Sequence, residues 1–283
     1  MSVVRVAALH VYPIKSCAGI AVDTMRFDAL GPLDDRRWML VDDDGEFLTQ
    51  REVPSLATVR PSRVEGGGLR VFAPGMPVLD VAGHGGDRRA AYCWDDRCAG
   101  FDEGDAARAW FSAVVGRRVR LLRFDATAPR VASRNWVGDA VGRPGALTRF
   151  SDGFPLLVTA LGSLEALNAR LAGAGLPEAS MARFRPNVVL DGLAAFEEDL
   201  VGSLVSPGGV VLRLVKPCTR CTITEVDPRN GRHAPGLLGV LASFRADPRL
   251  GGAVTFGRNA IVAGGLDVAL RVGEPLEVVH RRA

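Results

Sequence analysis

Short runs of strand-forming residues recur along this chain with no regular helix between them, which argues for a β-rich α+β protein and against a doubly wound parallel sheet. Val3 to Ile14 and Arg37 to Val41 are two such runs, and Asp42-Asp43-Asp44-Gly45 closes a hairpin from the second into Phe47-Leu48-Thr49. Gly66-Gly67-Gly68 separates Ser62-Arg63-Val64 from Leu69-Arg70-Val71-Phe72 in the same way. Strand character returns at Val119 to Phe124, Val188 to Leu190, Val210 to Val215, Cys221 to Val226, Ala260 to Val262 and Val268 to Val279. Few helices interrupt these runs. Asp105 to Val115 puts Ala107, Trp110, Phe111 and Val114 on one face and offers Gly116 as its C-terminal cap. A second helix takes Ser163 as N-cap, aligns Leu164, Leu167 and Leu171, and ends near Gly173; a short one spans Leu237 to Phe244. Asp125 to Gly145, heavy in Ala, Pro, Ser and Gly, reads as a linker or a lid.

With 283 residues, 47% apolar and 24% charged, the chain can bury a substantial core in one large domain or two ordinary ones. A net charge of +3, with basic residues scattered singly, makes no stripe for nucleic acid, and 6% aromatic residues leave little for base stacking. No run approaches the ~18 uninterrupted apolar residues of a membrane helix. Arg5 and His10 interrupt the first apolar stretch, so a strand is expected there and not a secretory signal. Five cysteines, an odd number, without such a signal point to a reducing compartment, so a cytoplasmic protein is expected.

The chemistry concentrates in Val215-Lys216-Pro217-Cys218-Thr219-Arg220-Cys221-Thr222-Ile223-Thr224-Glu225-Val226-Asp227-Pro228. Its two cysteines stand among cations, which favour the thiolate, the form that attacks electrophiles and binds soft metals. The residues leave several possibilities open: a redox dithiol, a zinc half-site completed by Cys93 and Cys98, a single ligand to a metal already bound by sulfur, or two buried hydrophobes in a strand. A thioredoxin-type dithiol wants a helix starting at the first cysteine, and the β-branched run after Cys221 does not supply one. The chain has two lysines against 33 arginines. Lys216 lies in this stretch and Lys15 lies in Tyr12-Pro13-Ile14-Lys15-Ser16-Cys17, two places that share a compact ammonium where the rest of the chain uses a planar fork.

These segments form an ordered set with Asp35-Arg36-Arg37-Trp38, Thr49-Gln50-Arg51-Glu52 and Phe184-Arg185-Pro186-Asn187. The set, which runs through nearly the whole chain, resembles the MOSC proteins with an N-terminal β-barrel domain, the amidoxime-reducing molybdenum enzymes among them. The resemblance implies an N-terminal β-barrel-like domain over 1–120 and a C-terminal MOSC β-barrel domain with a few helices over 121–283. It also implies a molybdenum cofactor, Mo-molybdopterin. In the family the later cysteine of the pair binds the metal, which makes Cys221 the catalytic residue and metal ligand and leaves Cys218 a packed neighbour. Lys15, Ser16, Arg36, Arg185, Asn187, Thr219, Arg220 and Asn259 fall where the family holds the anionic pterin, whose phosphate needs cations and neutral donors. Pro186 disfavours helix at Arg185, which is expected to project from an extended chain. The sequence departs from the family at Ser151-Asp152-Gly153-Phe154-Pro155, where Gly153 and Phe154 have no hydroxyl, and at Phe256-Gly257-Arg258-Asn259, where Asn259 stands in place of a tyrosine.

The implied activity is reduction of N-hydroxylated compounds: amidoximes, hydroxylamines or N-hydroxylated bases. No electron-carrying motif accompanies it, so an external flavin or iron–sulfur donor is the expected partner. A function of another class would use the same cysteine: a sulfur or molybdenum-cofactor carrier with a Cys221 persulfide. A distributed set of cations favours lasting cofactor binding over that alternative. His10, His84, His233 and His280 show no spacing for a metal or a triad, and Gly83-His84-Gly85-Gly86 reads as a turn.

Overall fold

The computed structural model describes Val4 to Arg281; Val3, where the first strand is expected to begin, lies outside the described residues. The first strand is β1 (Val4–Val11). After it come β2 (Trp38–Val41), β3 (Arg60–Arg63), β4 (Leu69–Phe72), β5 (Leu79–Val81), β6 (Arg88–Cys93), β7 (Asp96–Asp102), helix α1 (Asp105–Val115) and β8 (Arg120–Phe124). The remainder holds the single turn α2 (Arg134–Val137), then β9 (Leu156–Ala160), α3 (Leu161–Gly173), β10 (Val188–Asp191), β11 (Val201–Val205) and β12 (Val211–Thr219). It ends with α4 (Leu237–Arg245), β13 (Ala253–Gly264) and β14 (Pro275–His280).

Seven strands close a barrel in the order β9-β10-β1-β14-β11-β12-β13, and Leu156, Leu157 and Val158 of β9 pair back onto Ala260, Asn259 and Arg258 of β13. Its inside is filled by aliphatic side chains such as Val6, Leu9, Val158, Leu190 and Leu212, each worth roughly 1.5–3 kcal/mol when fully buried. β9 and β10 are parallel, which requires a crossover, and α3 begins it. The β-rich α+β architecture expected from the strand pattern is therefore present. β1, first in the chain, lies between β10 and β14 and so belongs to the barrel built by the second half.

The N-terminal unit is a half-barrel. Its sheets are β6-β7-β8-β2 and β3-β4-β5, over a core that includes Trp38, Leu56, Val71, Phe111 and Leu121. β8 pairs with both β7 and β2, so this unit's sheet continues past residue 120. As expected, α1 buries Ala107, Trp110 and Phe111, and Gly116 caps it with a positive φ of 71°.

Local reading fails where distant partners intervene. Ser163 lies inside α3 and not at its cap, because its Oγ is buried, donating to Glu198 Oε2 at 2.6 Å and accepting from the Phe196 N–H at 2.8 Å. Thr222–Glu225 is a 3-10 turn and not a strand, with the Thr224 hydroxyl donating to the Cys221 carbonyl at 2.9 Å. The segment from Asp125 to Gly145 is docked and does not form a free lid. The Val137 carbonyl accepts from Arg213 at 2.6 Å, the Gly145 N–H donates to Ala29 at 2.7 Å, and Val137 packs with Val215 and Ile261. Among the described residues no helix is long and apolar enough to cross a membrane.

Gly257 interrupts β13 with φ +73°, and a Cβ there would stand 2.7 Å from the Val158 carbonyl oxygen. Gly257→Ala is therefore expected to destabilise the protein by about 2–4 kcal/mol, combining left-handed strain with a backbone clash. Thermal unfolding of the variant checks this; an unchanged midpoint would show that the barrel wall yields freely at this point.

Candidate functional site

Across one rim of the barrel, neighbouring strands place Asn187, Leu157, Asn259 and Lys216 side by side. The Asn187 N–H donates to the Leu157 carbonyl at 2.8 Å, Leu157 pairs with Asn259, and Asn259 pairs with Lys216. Beyond this row β12 and β13 run on together and deliver Cys218 to Cys221 to the wall of a cleft. The other wall comes from the half-barrel, at Lys15, Ser16, Arg36, Thr49 and Trp94. The cleft has a volume of about 450 Å³, within the usual range for a small-molecule site. All nine residues singled out from the sequence line it.

At the end nearest Asn187, charge is held by an internal network. Arg36 Nη1 donates to Asp35 at 2.6 and 2.7 Å and to Asn187 Oδ1 at 3.3 Å. Asn187 Nδ2 in turn donates to Asp35 at 3.0 Å and to the His10 carbonyl at 3.2 Å, while its Oδ1 also accepts from the Leu157 N–H at 3.1 Å. Asn187 therefore acts as a strut that sets Arg36, because its own polar atoms are taken within the protein. The Arg36 and Arg185 guanidiniums stand 4.3 and 4.4 Å from the centre of the Tyr12 ring. Burial, and then the like charge of Arg36, lower the Arg185 pKa to about 10, which still leaves it a cation at neutral pH. Burial pushes the Tyr12 phenol up to about 12 against the pull of both arginines. Arg185 has φ 56° and ψ 46°, so the chain there is left-handed and not extended as expected.

Lys15 is buried, and its ammonium donates to the Phe150 carbonyl at 2.9 Å and to the Asp152 carboxylate. The Trp94 indole N–H also donates to that carboxylate, at 3.1 Å. Partial withdrawal from solvent opposes ionisation of Asp152, but the Lys15 charge and hydrogen bond, with Trp94 and Arg36, outweigh it and hold the carboxyl well below the usual range. The Asp152 side chain remains 72% exposed, so the pair contributes little to stability. Arg130, buried behind the loop, fixes it by donating to the carbonyls of Arg149 at 3.1 Å, Ser151, and Asp152 at 3.3 Å. Trp94, Asp95, Asp152 and Phe184 line the cleft without having been predicted as site residues. The visible signals were a tryptophan at the tip of the Cys93-Trp94-Asp95-Asp96 hairpin and the two motif segments that contain Asp152 and Phe184.

In the cysteine segment, Cys221 is exposed and Cys218 half-buried. Arg220 Nη1 donates to Cys218 Sγ at 3.0 Å and Nη2 to the Phe184 carbonyl at 2.9 Å, so Cys218 positions a cation and is more than a packed neighbour. Thr219 and Asn259 line the same wall, and neither side chain has a hydrogen-bond partner among the described residues. Cys93 and Cys98 are buried in the half-barrel, where burial and then Cys93 push the Cys98 thiol up to about 12. Burial likewise pushes Cys17 to about 12. Among the described residues no group of three or more His, Cys, Asp or Glu could hold a metal ion. A four-cysteine zinc site therefore lacks its ligand set, and a metal at Cys221 needs most of its ligands from a bound organic group.

The donor chemistry fits such a group with an anionic tail. Arg185 Nη2 and Arg220 Nε are buried beside the cleft with no acceptor among the described residues. An unmet guanidinium N–H is costly, and an anion satisfies it. Strain gathers here too: of six non-glycine residues with positive φ among the described residues, Ser16, Arg36, Trp94 and Arg185 line the cleft. Each such backbone costs on the order of 1–3 kcal/mol and persists where surrounding contacts enforce it, commonly at ligand sites.

Comparison with known proteins gives the same ordered pattern. Residues 3–118 match the MOSC N-terminal beta barrel domain, and residues 147–277 match the MOSC domain. The chain is 33% identical to mitochondrial amidoxime reducing component 2 of Bos taurus over 86% of its own length and 73% of that protein's. It is 31% identical to mitochondrial amidoxime-reducing component 1 of Mus musculus, over 86% of this chain and 72% of the relative. It is also 28% identical to molybdenum cofactor sulfurase of Homo sapiens, over 80% of this chain but only 27% of that protein.

Proposed function

Since this chain belongs to the family of MOSC proteins with an N-terminal MOSC β-barrel domain, we propose that it is a molybdenum-cofactor-dependent oxidoreductase that reduces N-hydroxylated compounds such as amidoximes and hydroxylamines. The observation that carries this reading is the meeting, in one cleft, of an exposed thiol at Cys221 with the unpaired N–H groups of Arg185 and Arg220. In this reading Cys221 is the protein's ligand to molybdenum. Arg185 and Arg220 take the anionic end of the pterin, joined by Ser16 and Thr219 as neutral donors. Arg36 is held in place by Asp35 and Asn187, and Lys15 by Asp152, so both cations stand ready at fixed positions.

When bound, the cofactor supplies the oxygen-accepting, two-electron chemistry; the protein supplies binding and orientation. The Tyr12 ring keeps Arg36 and Arg185 together despite their like charge, and with Arg36 paired to Asp35 it is chiefly Arg185 that offers a cation to an anionic group. Electrons come from a separate flavin or iron–sulfur protein in this proposal, which also places the enzyme in the cytoplasm, where its five free cysteines would stay reduced.

Arg185→Ala and Lys15→Ala are each expected to purify with much less cofactor, since each removes a charge-assisted contact of about 1.5–3 kcal/mol. Molybdenum and pterin analysis of the purified proteins tests this. Full cofactor content and unchanged activity in both variants would remove the anion-site assignment. A second reading, a sulfur or cofactor carrier using a Cys221 persulfide, draws on the same exposed thiol and on the likeness to molybdenum cofactor sulfurase. Labile sulfane sulfur in place of stoichiometric molybdenum would favour it.

A further inference from the structure

The two ends of the cleft use their donors differently. At the Arg36 end Arg36 is matched by Asp35, Asn187 by Asp35 and His10, and Lys15 by Phe150 and Asp152, while Arg185 keeps one buried N–H for the cofactor's anion. At the other end the Lys216 ammonium has no hydrogen bond or ion pair among the described residues, and the ring of Trp136, at 5.8 Å, is its recorded neighbour. Asn259 stands directly across from Lys216 in the β12–β13 register. Directly opposed residues share a face of the sheet, and both of these line the cleft. The Asn259 amide, like the lysine, has no side-chain partner among the described residues. A cation and an amide donor thus stand together, both without an acceptor.

Strand order sets this pair apart from the Arg36 and Arg185 part of the cofactor's anion site. From Asn187, which touches Arg36, the row crosses Leu157 and Asn259 before reaching Lys216. That is three strand spacings of ~4.8 Å each. A phosphate seated beside Arg36 and Arg185 lies three strands from Lys216 along the barrel wall. Of the chain's two lysines, one is paired with a carboxylate and the other lines the cleft without such a partner among the described residues, on the strand that leads to Cys221.

We propose that Lys216 and Asn259 form a second anion subsite that receives a carboxylate of the substrate, so that N-hydroxylated compounds carrying a carboxylate are preferred over neutral ones. The reference to substrate rests on the N-reduction reading; the subsite itself does not. The shared chemistry, an anionic oxygen group at Lys216, could come from the substrate or from a second anionic group on the cofactor, and the test separates them.

The cofactor-loaded protein and its Lys216→Gln variant are compared with two pairs of probes. One pair, benzamidine and 4-carboxybenzamidine, is followed by calorimetry; the other, benzamidoxime and 4-carboxybenzamidoxime, is followed by reduction with an artificial electron donor. The expected result is that the preference for the carboxylate probe over its neutral partner falls about tenfold in both binding and KM, the loss of one charge-assisted contact. Molybdenum and organic phosphate content should stay at parent levels, and Asn259→Ala should lower the same preference by a smaller factor. An unchanged preference in Lys216→Gln overturns the subsite, as does loss of molybdenum and phosphate from that variant, which would give the lysine to the cofactor. If the parent reduces neither amidoxime yet binds the carboxylate probe through Lys216, the N-reduction reading falls and the subsite stands. If it reduces both while Lys216→Gln shows the parent's preference, the subsite alone falls.

Discussion

Cys221→Ala is expected to fold as the parent does and to lose reductase activity by at least ~100-fold, with molybdenum content falling in parallel. The exposed thiol makes no hydrogen bond that the fold depends on; it caps a short turn through its backbone carbonyl, which alanine keeps. Even groups that only support a metal ligand typically change affinity or activity 10–100-fold, so loss of the ligand should do at least as much. Cys218→Ser should behave otherwise. A serine hydroxyl can still accept from Arg220, and most activity should remain, whereas Cys218→Val leaves that guanidinium N–H unpaired and should weaken cofactor retention. Activity with an artificial donor and molybdenum content, measured on all three variants, decide the matter. Equal collapse of Cys221→Ala and Cys218→Ser, with both proteins folded, would return the cysteines to a paired role.

The second large effect is on stability. Glu198 is 1% exposed; its Oε2 accepts from Ser163 and its Oε1 has no partner among the described residues. Burial raises its pKa from 4.5 to about 7, with Asp199 adding to the rise and Ser163 and Arg245 opposing it. The folded state thus holds this proton more tightly than the unfolded chain does. Its contribution is complete below pH 4.5 and is lost as pH rises through about 7, a change on the order of 3 kcal/mol. Glu198→Gln keeps an acceptor for Ser163 and has no charge to bury. It should match the parent near pH 4.5 and exceed it by up to ~3 kcal/mol at pH 8. Denaturant unfolding at the two pH values tests this, and parallel pH profiles for the two proteins would show that Glu198 is ionised at little cost in the fold.

Several features could be read locally. α1 was legible because Ala107, Trp110 and Phe111 recur at helical spacing and Gly116 tolerates the left-handed cap. The motif residues were legible because cations and thiols are rare enough in such contexts to stand out, and all nine now line one cleft. Ser163 was misread because a serine before an apolar run looks like a cap; only a glutamate 35 positions away makes it a buried donor. Trp94 and Asp152 escaped because their roles depend on Lys15, which approaches through the fold and not along the chain.

By itself, then, the sequence determined which chemistry is available, a thiol beside arginines and two lysines set apart from 33 arginines, and that its strands would dominate. Side-chain identity and short-range periodicity are local properties, and they survive without knowledge of the fold. Only the tertiary structure decided that β1 joins the later barrel, that Arg185 turns left-handed, that Asp152 holds Lys15, and that Lys216 stands opposite Asn259. Those outcomes depend on strand register and on which polar groups burial leaves unmatched. Both are settled by contacts between residues far apart in the chain, whose free energy is realised only when the barrel closes.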